Sequence, residues 1–205
     1  MSEHRVTKLE QLEALYGAPS RGAVAKEIDR INQGYRKLIE ASPFIALATS
    51  GPEGLDCSPK GDAPGFVAIL DDRTLAIPDP PGNNRIDGLR NVVRDPRVAI
   101  LFLIPGAGET LRVNGRGEIS IEPSLLQHFA VNGKLPPSVL LVHVESIYFH
   151  CAKAIMRSKL WDETSKIDPK NLPSAGTLRA ELLGDGMDIE AYDRAQPERL
   201  KTSLY

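Results

Sequence analysis

The sequence is poor in cysteine, with only Cys57 and Cys151 in 205 residues and no Cys-x-x-Cys pair. Two distant cysteines do not form a disulfide framework, so we expect a reducing, cytoplasmic environment. No apolar run approaches the ~20 residues that cross a bilayer, and the first residues lack the apolar core of a signal peptide. The sequence therefore predicts a soluble intracellular protein without a membrane partner.

The chain also lacks an excess of charge of one sign. Its 25 Lys and Arg against 27 Asp and Glu give a net charge of −2, so no overall basic field favours nucleic acid as a partner. The four histidines are scattered, which predicts no metal site. No nucleophile–base pair or phosphate-binding P-loop spacing is present, so no catalytic residue is assigned.

Helices are predicted before the first strand. Leucines at helical spacing predict one helix over residues 7–17, with Thr7 and Glu10 as its capping box. Apolar residues at the same spacing predict a second helix over 20–41, which Pro43 stops. We expect residues 1–42 to pack on a barrel or on a dimer surface.

From residue 44 the pattern changes to short apolar runs separated by turn residues, which is typical of β-hairpins. Strands are expected over 44–49, 55–60, 65–70, 74–77, 98–104, 110–121 and 138–149, and helices over 84–94, 123–129, 150–161 and about 177–183. Roughly six strands favour an antiparallel barrel over a parallel α/β sheet. The main domain is expected over 43–161, with a C-terminal extension over 162–205.

The most informative segment follows the strand that ends at Ile77. A loop rich in Pro and Gly leads into a helix that we expect to begin near Asn84. Free N–H groups at a helix start bind anions, and Arg85 could add a bidentate contact to a phosphate. Alternatively, Asn84 and Asp87 form a capping box and Arg85 is solvated. The residues alone leave both interpretations open.

Three further segments carry candidate anion ligands. Along the strand near residue 112, Arg112, Asn114, Arg116 and Glu118 alternate with apolar residues and glycines, so they share one face, either exposed or anion-holding. Arg112 is the stronger candidate because Arg116 can pair with Glu118. Lys60 lies on an edge-like strand, where it either meets a phosphate or stays solvated. Residues at four-residue steps on a predicted helix either bind a ligand or form a cation–π contact; they are Lys153, Arg157 and Trp161.

Taken together, these segments resemble the pyridoxamine 5'-phosphate oxidase-like family of FMN-binding split barrels. The resemblance runs from about residue 44 to residue 161, in the stretches FIALATSGPEGLDCSPKGD, LAIPDPPGNNRIDGLRNVVRDPRVAILFLIPG, TLRVNGRGEI and HCAKAIMRSKLW. The second stretch is the most specific. The resemblance implies a mainly β fold with flanking helices, namely a six-stranded antiparallel split β-barrel, in a homodimer with two FMN molecules at the interface.

The resemblance also implies which residues bind the cofactor. Lys60 would flank the flavin ring and phosphate, and Asn84 and Arg85 would hold the phosphate. Arg112 would lie near the cofactor. Four residues would reach it from the other subunit, namely Lys153, Arg157, Ser158 and Trp161.

The implied function is that of an FMN-dependent oxidoreductase with a small-molecule redox substrate or electron donor. The chain lacks the Arg-x-His substrate clamp and the C-terminus of true pyridoxamine-phosphate oxidases. We therefore do not expect strict pyridoxamine-phosphate oxidase activity. The alternative is a non-catalytic module that binds or senses flavin, haem or deazaflavin.

Overall fold

A computed structural model describes residues 4–82, 84–184 and 186–204. The strands are β1 (Phe44–Gly51), β2 (Gly54–Gly61), β3 (Ala68–Ile69), β4 (Thr74–Asp79), β5 (Arg97–Leu103), β6 (Thr110–Ser120) and β7 (Ser138–His150). The helices are α1 (Leu9–Tyr16), α2 (Arg21–Ala25), α3 (Gln33–Ala41), α4 (Asp87–Arg94), α5 (Pro123–His128), α6 (Lys153–Ser158), α7 (Ala175–Leu183) and α8 (Ile189–Thr202). In this part of the chain, no helix is long and apolar enough to cross a membrane.

The strands form one antiparallel sheet in the order β2-β1-β5-β6-β7-β4-β3. The expected antiparallel, mainly β architecture with flanking helices is confirmed. The expected number of six strands is wrong, because the sheet has seven; the strand expected over 65–70 is reduced to the two residues of β3, which pair with β4. No backbone pairing joins β2 to β3 within the described ranges, so the sheet stays open between its two ends.

Alternation along the strands places one face of the sheet on the core. The core is apolar and includes Ile45 and Leu47 of β1, Ile100 and Phe102 of β5, and Leu111 and Val113 of β6. Helix α3 adds Tyr35 and Ile39, and α4 adds Val92. Full burial of each large apolar side chain contributes about 1.5–3 kcal/mol. The curled sheet and these two helices therefore hold one continuous core.

The predicted helix over 20–41 is interrupted, which corrects the sequence interpretation. Ile28 exchanges two backbone hydrogen bonds with Ile147 of β7, at 3.1 and 2.8 Å, so the chain is extended there. A helix restarts after Asn32, whose side chain accepts from the N–H of Tyr35. A tertiary contact thus overrides local helical spacing. Helix α8 was not predicted at all.

The cap of α1 also differs from the prediction. The side chain of Gln11, not Glu10, accepts hydrogen bonds from the backbone N–H groups of Thr7 and Lys8, at 3.1 and 3.2 Å. Gln11 is the third residue of the helix, which begins at Leu9, and an N3 side chain has the reach for this contact. The leucine stripe and the end at Gly17 agree with the prediction.

A β-bulge interrupts the pairing of β6 with β7 at Gly115. Glu145 is the extra residue on β7, so Val144 and Ile147 both face the core although they are three residues apart. A Cβ atom on Gly115 would lie 2.1 Å from the carbonyl oxygen of His143. Only glycine fits at this point of the ladder.

We expect Gly115→Ala to destabilise the protein by about 1–3 kcal/mol, because the added methyl group collides with backbone that cannot swing away. Urea denaturation followed by circular dichroism measures the change. Gly22→Ala is the matched control, since a Cβ there meets nothing within 4 Å and alanine favours the helix. Equal stability of the two variants would contradict the packing argument.

Candidate functional site

A cavity of about 260 Å³ lies between the two ends of the sheet. We call it the proline cavity, after Pro59, Pro78, Pro80 and Pro81 in its wall. Leu47 and Phe66 add apolar surface, and the start of α4 closes one side. An apolar cavity with a few convergent polar groups is the usual form of a small-molecule site.

Lys60 and Asp79 supply the central polar contact of this cavity. The Nζ atom of Lys60, on β2, donates to Oδ1 of Asp79, at the end of β4. Their side chains are only 20% and 18% exposed, so this pair is far less screened than a surface pair. Lys60 is therefore not the solvated edge lysine that the sequence left as one alternative. An ammonium group has three N–H donors, and Asp79 takes one of them.

A second cavity of about 320 Å³ adjoins the first, and the two share Asp87. We call it the arginine groove, after Arg85, Arg90 and Arg94 in its wall. Carboxylates also line it: Arg94 lies 3.8 Å from Glu53, and Asp56 faces the same space. The groove thus holds three guanidinium groups and an equal number of carboxylates, the third being Asp87.

The structure corrects the expected helix start near Asn84. Helix α4 begins at Asp87, and its N-cap is Ile86 in the left-handed region, with φ 49° and ψ 29°. Asn84 lies in the exposed loop before the helix and makes no cap. A β-branched residue at positive φ costs on the order of 1–3 kcal/mol and occurs mainly at functional sites.

Arg85 lies in the wall of the arginine groove, just before α4, and is already paired with Asp87. Its Nε and Nη2 atoms both lie 2.8 Å from Oδ2 of Asp87. The side chain of Arg85 is 84% exposed, so this pair contributes little to stability. Neither sequence interpretation is complete: Arg85 lines a groove, and Asp87 pairs with it instead of capping the helix.

Arg112 lies on the opposite face of the sheet from the proline cavity. It alternates with the buried residues Leu111 and Val113, as predicted. Its Nη1 atom donates to the hydroxyl of Tyr148 at 2.8 Å, and its guanidinium lies 5.5 Å from that ring. Within one chain, Arg112 and Lys60 therefore do not come together.

The expected late segment is only partly helical. Lys153 and Arg157 are exposed on α6, and the Ser158 hydroxyl donates to the carbonyl of Ile155 at 3.1 Å. The helix ends at Lys159, which has a φ of 52°. Trp161 thus lies beyond it, and its Nε1 donates to the carbonyl of Ala107 at 2.7 Å. The expected stripe at four-residue steps stops at Arg157.

Asp79 is the cavity residue that sequence reasoning missed. A signal was present, because Leu75, Ile77 and Asp79 alternate along β4 and so share the inward face. The prolines on both sides of Asp79 made the segment look like a loop. In the described residues, no group of three or more His, Cys, Asp and Glu is placed to hold a metal ion.

The family to which the chain belongs follows from its match to a family model. The model of the pyridoxamine 5'-phosphate oxidase family matches residues 31–151, more than half of the chain. The chain belongs to that family. The matched range of this oxidase-family chain includes β1–β7 and both cavities. None of the curated proteins matches it.

Several solved structures resemble the oxidase-family domain. HupZ from Group A Streptococcus is 24% identical, with a TM-score of 0.47 over 57% of this chain and 91% of that chain. General stress protein 26 from Bacillus anthracis is 17% identical, with a TM-score of 0.41 over 56% and 88%. A protein of the pyridoxinephosphate oxidase family from Clostridium acetobutylicum is 13% identical, with a TM-score of 0.44 over 59% and 91%. With TM-scores this low, these similarities carry no conclusion about function.

We expect Lys60→Met to destabilise this oxidase-family protein by about 1–3 kcal/mol, because the carboxylate of Asp79 loses its partner in a mostly enclosed site. Chemical denaturation measures the loss. The double variant Lys60→Met/Asp79→Leu should lose less than the sum of the two single variants. Lys166→Met, which breaks an exposed pair with Glu163, is the matched control and should change stability by under about 1 kcal/mol. Additive effects at positions 60 and 79 would refute the coupling.

Arg112 also acts on a nearby imidazole. Burial lowers the pKa of His150, and the positive charges of Arg112 and Lys26 lower it further. We therefore expect Arg112→Gln to raise the pKa of His150, measured by NMR titration of its ring protons. Arg116→Gln, on the same face of β6, should leave that pKa unchanged. No upward shift in Arg112→Gln would show that the guanidinium does not reach this ring electrostatically.

Proposed function

We propose that this protein is an FMN-binding flavoprotein and an FMN-dependent oxidoreductase. Its partners would be a small-molecule redox substrate or electron donor and a second copy of the chain, with the flavin at the homodimer interface. One observation carries the proposal: two adjoining cavities run along β2, one mainly apolar with a lysine, the other lined by three arginines. A mainly apolar cavity next to an arginine-lined groove matches a flavin ring followed by its phosphate tail.

The proline cavity suits the isoalloxazine ring. Its apolar wall includes Leu47, Phe66 and the four prolines, and a flat ring is stabilised by such surface. Lys60 keeps N–H donors for the ring edge or phosphate while one bonds Asp79. A Cβ on Gly88 would lie 3.3 Å from Oδ2 of Asp56. Glycine at this position therefore lets the start of α4, which lines the cavity, pack closely against β1 and β2.

The arginine groove suits the phosphate, which carries roughly −1.5 to −2 charges at neutral pH. Arg85 is the first candidate, as the sequence suggested, together with Asn84 in the loop beside it. Arg90 adds a guanidinium that has no ion-pair partner in the described part of the chain. Two or three charge-assisted bonds at about 1.5–3 kcal/mol each, with ring burial, would give micromolar binding, near −8 kcal/mol.

The outer face of the sheet supports a homodimer. On β1 and β5 this face carries Phe44, Ala46, Ala48, Leu101 and Leu103, all partly or fully exposed in the single chain. Phe44 is 41% exposed, although it lies beside Leu103 in the sheet. An apolar sheet face that the described residues leave exposed is typical of a protein–protein interface. A second copy would cover it.

The other expected cofactor residues need that second copy. Arg112 lies beside Leu101 on the outer face, so it could approach only the flavin of the partner. The same holds for the late segment, where Lys153 and Arg157 are exposed and Ser158 and Trp161 already hydrogen-bond to backbone carbonyls. Their contact with FMN stays a prediction that depends on the homodimer.

The protein's role would be to bind and orient the cofactor. When bound, FMN supplies hydride transfer at its N5 atom. The proline cavity would exclude water from the ring, and the arginine groove would fix the tail. No catalytic side chain is assigned. We do not propose pyridoxamine-phosphate oxidation, because the chain has no Arg-x-His clamp.

We expect Arg85→Ala to weaken FMN binding at least tenfold, about 1.4 kcal/mol, with the fold intact. Asp87→Asn should strengthen FMN binding, because it frees the guanidinium of Arg85 for the phosphate. Quenching of flavin fluorescence measures both affinities. Riboflavin, which has no phosphate, should bind the wild type and both variants equally.

Arg36→Ala, on α3 and outside the lining of both cavities, is the control and should bind FMN like the wild type. Full retention of FMN by Arg85→Ala would refute the phosphate assignment. A colourless protein whose melting temperature ignores added FMN would refute flavin binding altogether. A flavin that binds but is not reoxidised by any acceptor after anaerobic reduction would favour the carrier alternative.

A further inference from the structure

The Lys60–Asp79 pair lies where its charges can act on a ligand in the proline cavity. It joins the two ends of the open sheet and lines the proline cavity. Its charges are four-fifths buried and have Pro59, Pro78 and Pro80 as chain neighbours. A charge in such surroundings acts more strongly on a neighbouring group than it would in water. Both charges of the pair would therefore act on any ligand in the cavity.

We propose that Asp79 is a positioning residue that, through Lys60, lowers the reduction potential of the bound flavin. The inference rests on the proposed function, since it needs the ring in the proline cavity. Asp79 plays two parts: it holds the Lys60 ammonium at the cavity wall, and it offsets the positive charge of that ammonium. Nothing in this role requires Asp79 to touch the flavin.

The sign follows from electrostatics. Two-electron reduction adds negative charge to the ring system, and charge beside the ring shifts the balance between the oxidised and reduced forms. An ammonium group favours the reduced flavin, and a carboxylate disfavours it. When the two groups are paired, their effects on the reduction potential largely cancel. Removing Asp79 should therefore raise the potential, whereas removing Lys60 should lower it.

Other charged groups share the cavity but predict a different pattern. Asp62 and Asp87 also line it, and both stay in place in every variant below. A purely structural role for the pair would perturb the two single variants alike, since each breaks the same contact. Shifts of opposite sign are expected only if the two charges act on the ring itself.

The test compares reduction potentials of the FMN-loaded protein, measured by equilibration with reference dyes under anaerobic conditions. We expect Asp79→Asn to shift the equilibrium at least tenfold towards reduced flavin, about 30 mV for a two-electron couple. Lys60→Gln should shift it at least tenfold the other way. Lys60→Arg, which keeps the charge, should stay within threefold of the wild type.

Glu163→Gln is the matched control, because it removes a carboxylate from an exposed pair elsewhere and should leave the potential unchanged. The FMN dissociation constant of each variant is measured first. If the wild type does not bind FMN, the proposed function fails and the inference fails with it. If FMN binds but Asp79→Asn and Lys60→Gln shift the potential in the same direction, or by less than threefold, the inference alone is overturned.

Discussion

The Lys60–Asp79 ion pair joins the two ends of the sheet, which backbone pairing leaves apart in the described residues. The sheet ends at β2 on one side and at β3 and β4 on the other, and Lys60 bonds to Asp79 across that gap. Each charge is mostly buried, so each needs the other. The proline cavity exists because the two ends meet through side chains and leave space beside them. Helix α4 packs on β1, β2 and β6 beside this gap, and the arginine groove lies between α4 and β2.

Local chemistry explains which parts of the fold could be predicted. The β1–β2 hairpin was confirmed because its turn from Gly51 to Gly54 and its flanking apolar runs specify it without help from distant residues. Alternation along β6 was confirmed for the same reason. The prediction failed where a tertiary contact intervened. The bridge of Ile28 to Ile147 interrupts a helix that its own residues would have continued.

The site was less predictable than the fold, for a geometric reason. The sequence marked Lys60, Arg85 and Arg112 as candidate anion ligands, and the structure puts the first two along adjoining cavities. Alternation could assign Arg112 to a face but could not say which face holds the cavity, since that depends on how the sheet curls. Asp79 escaped notice because its flanking prolines suggested a loop, and the left-handed Ile86 has no sequence signature.

The bulge at Glu145 has a consequence for anyone redesigning this surface. Face assignments counted along β7 from Ser138 are correct only as far as Val144, and from Ile147 onward the parity is reversed. Tyr148 and His143 thus point to the same side although they are five positions apart in the sequence, a spacing that uninterrupted alternation forbids. Grafted side chains must be counted separately from each end of the strand, or half of them will point into the core.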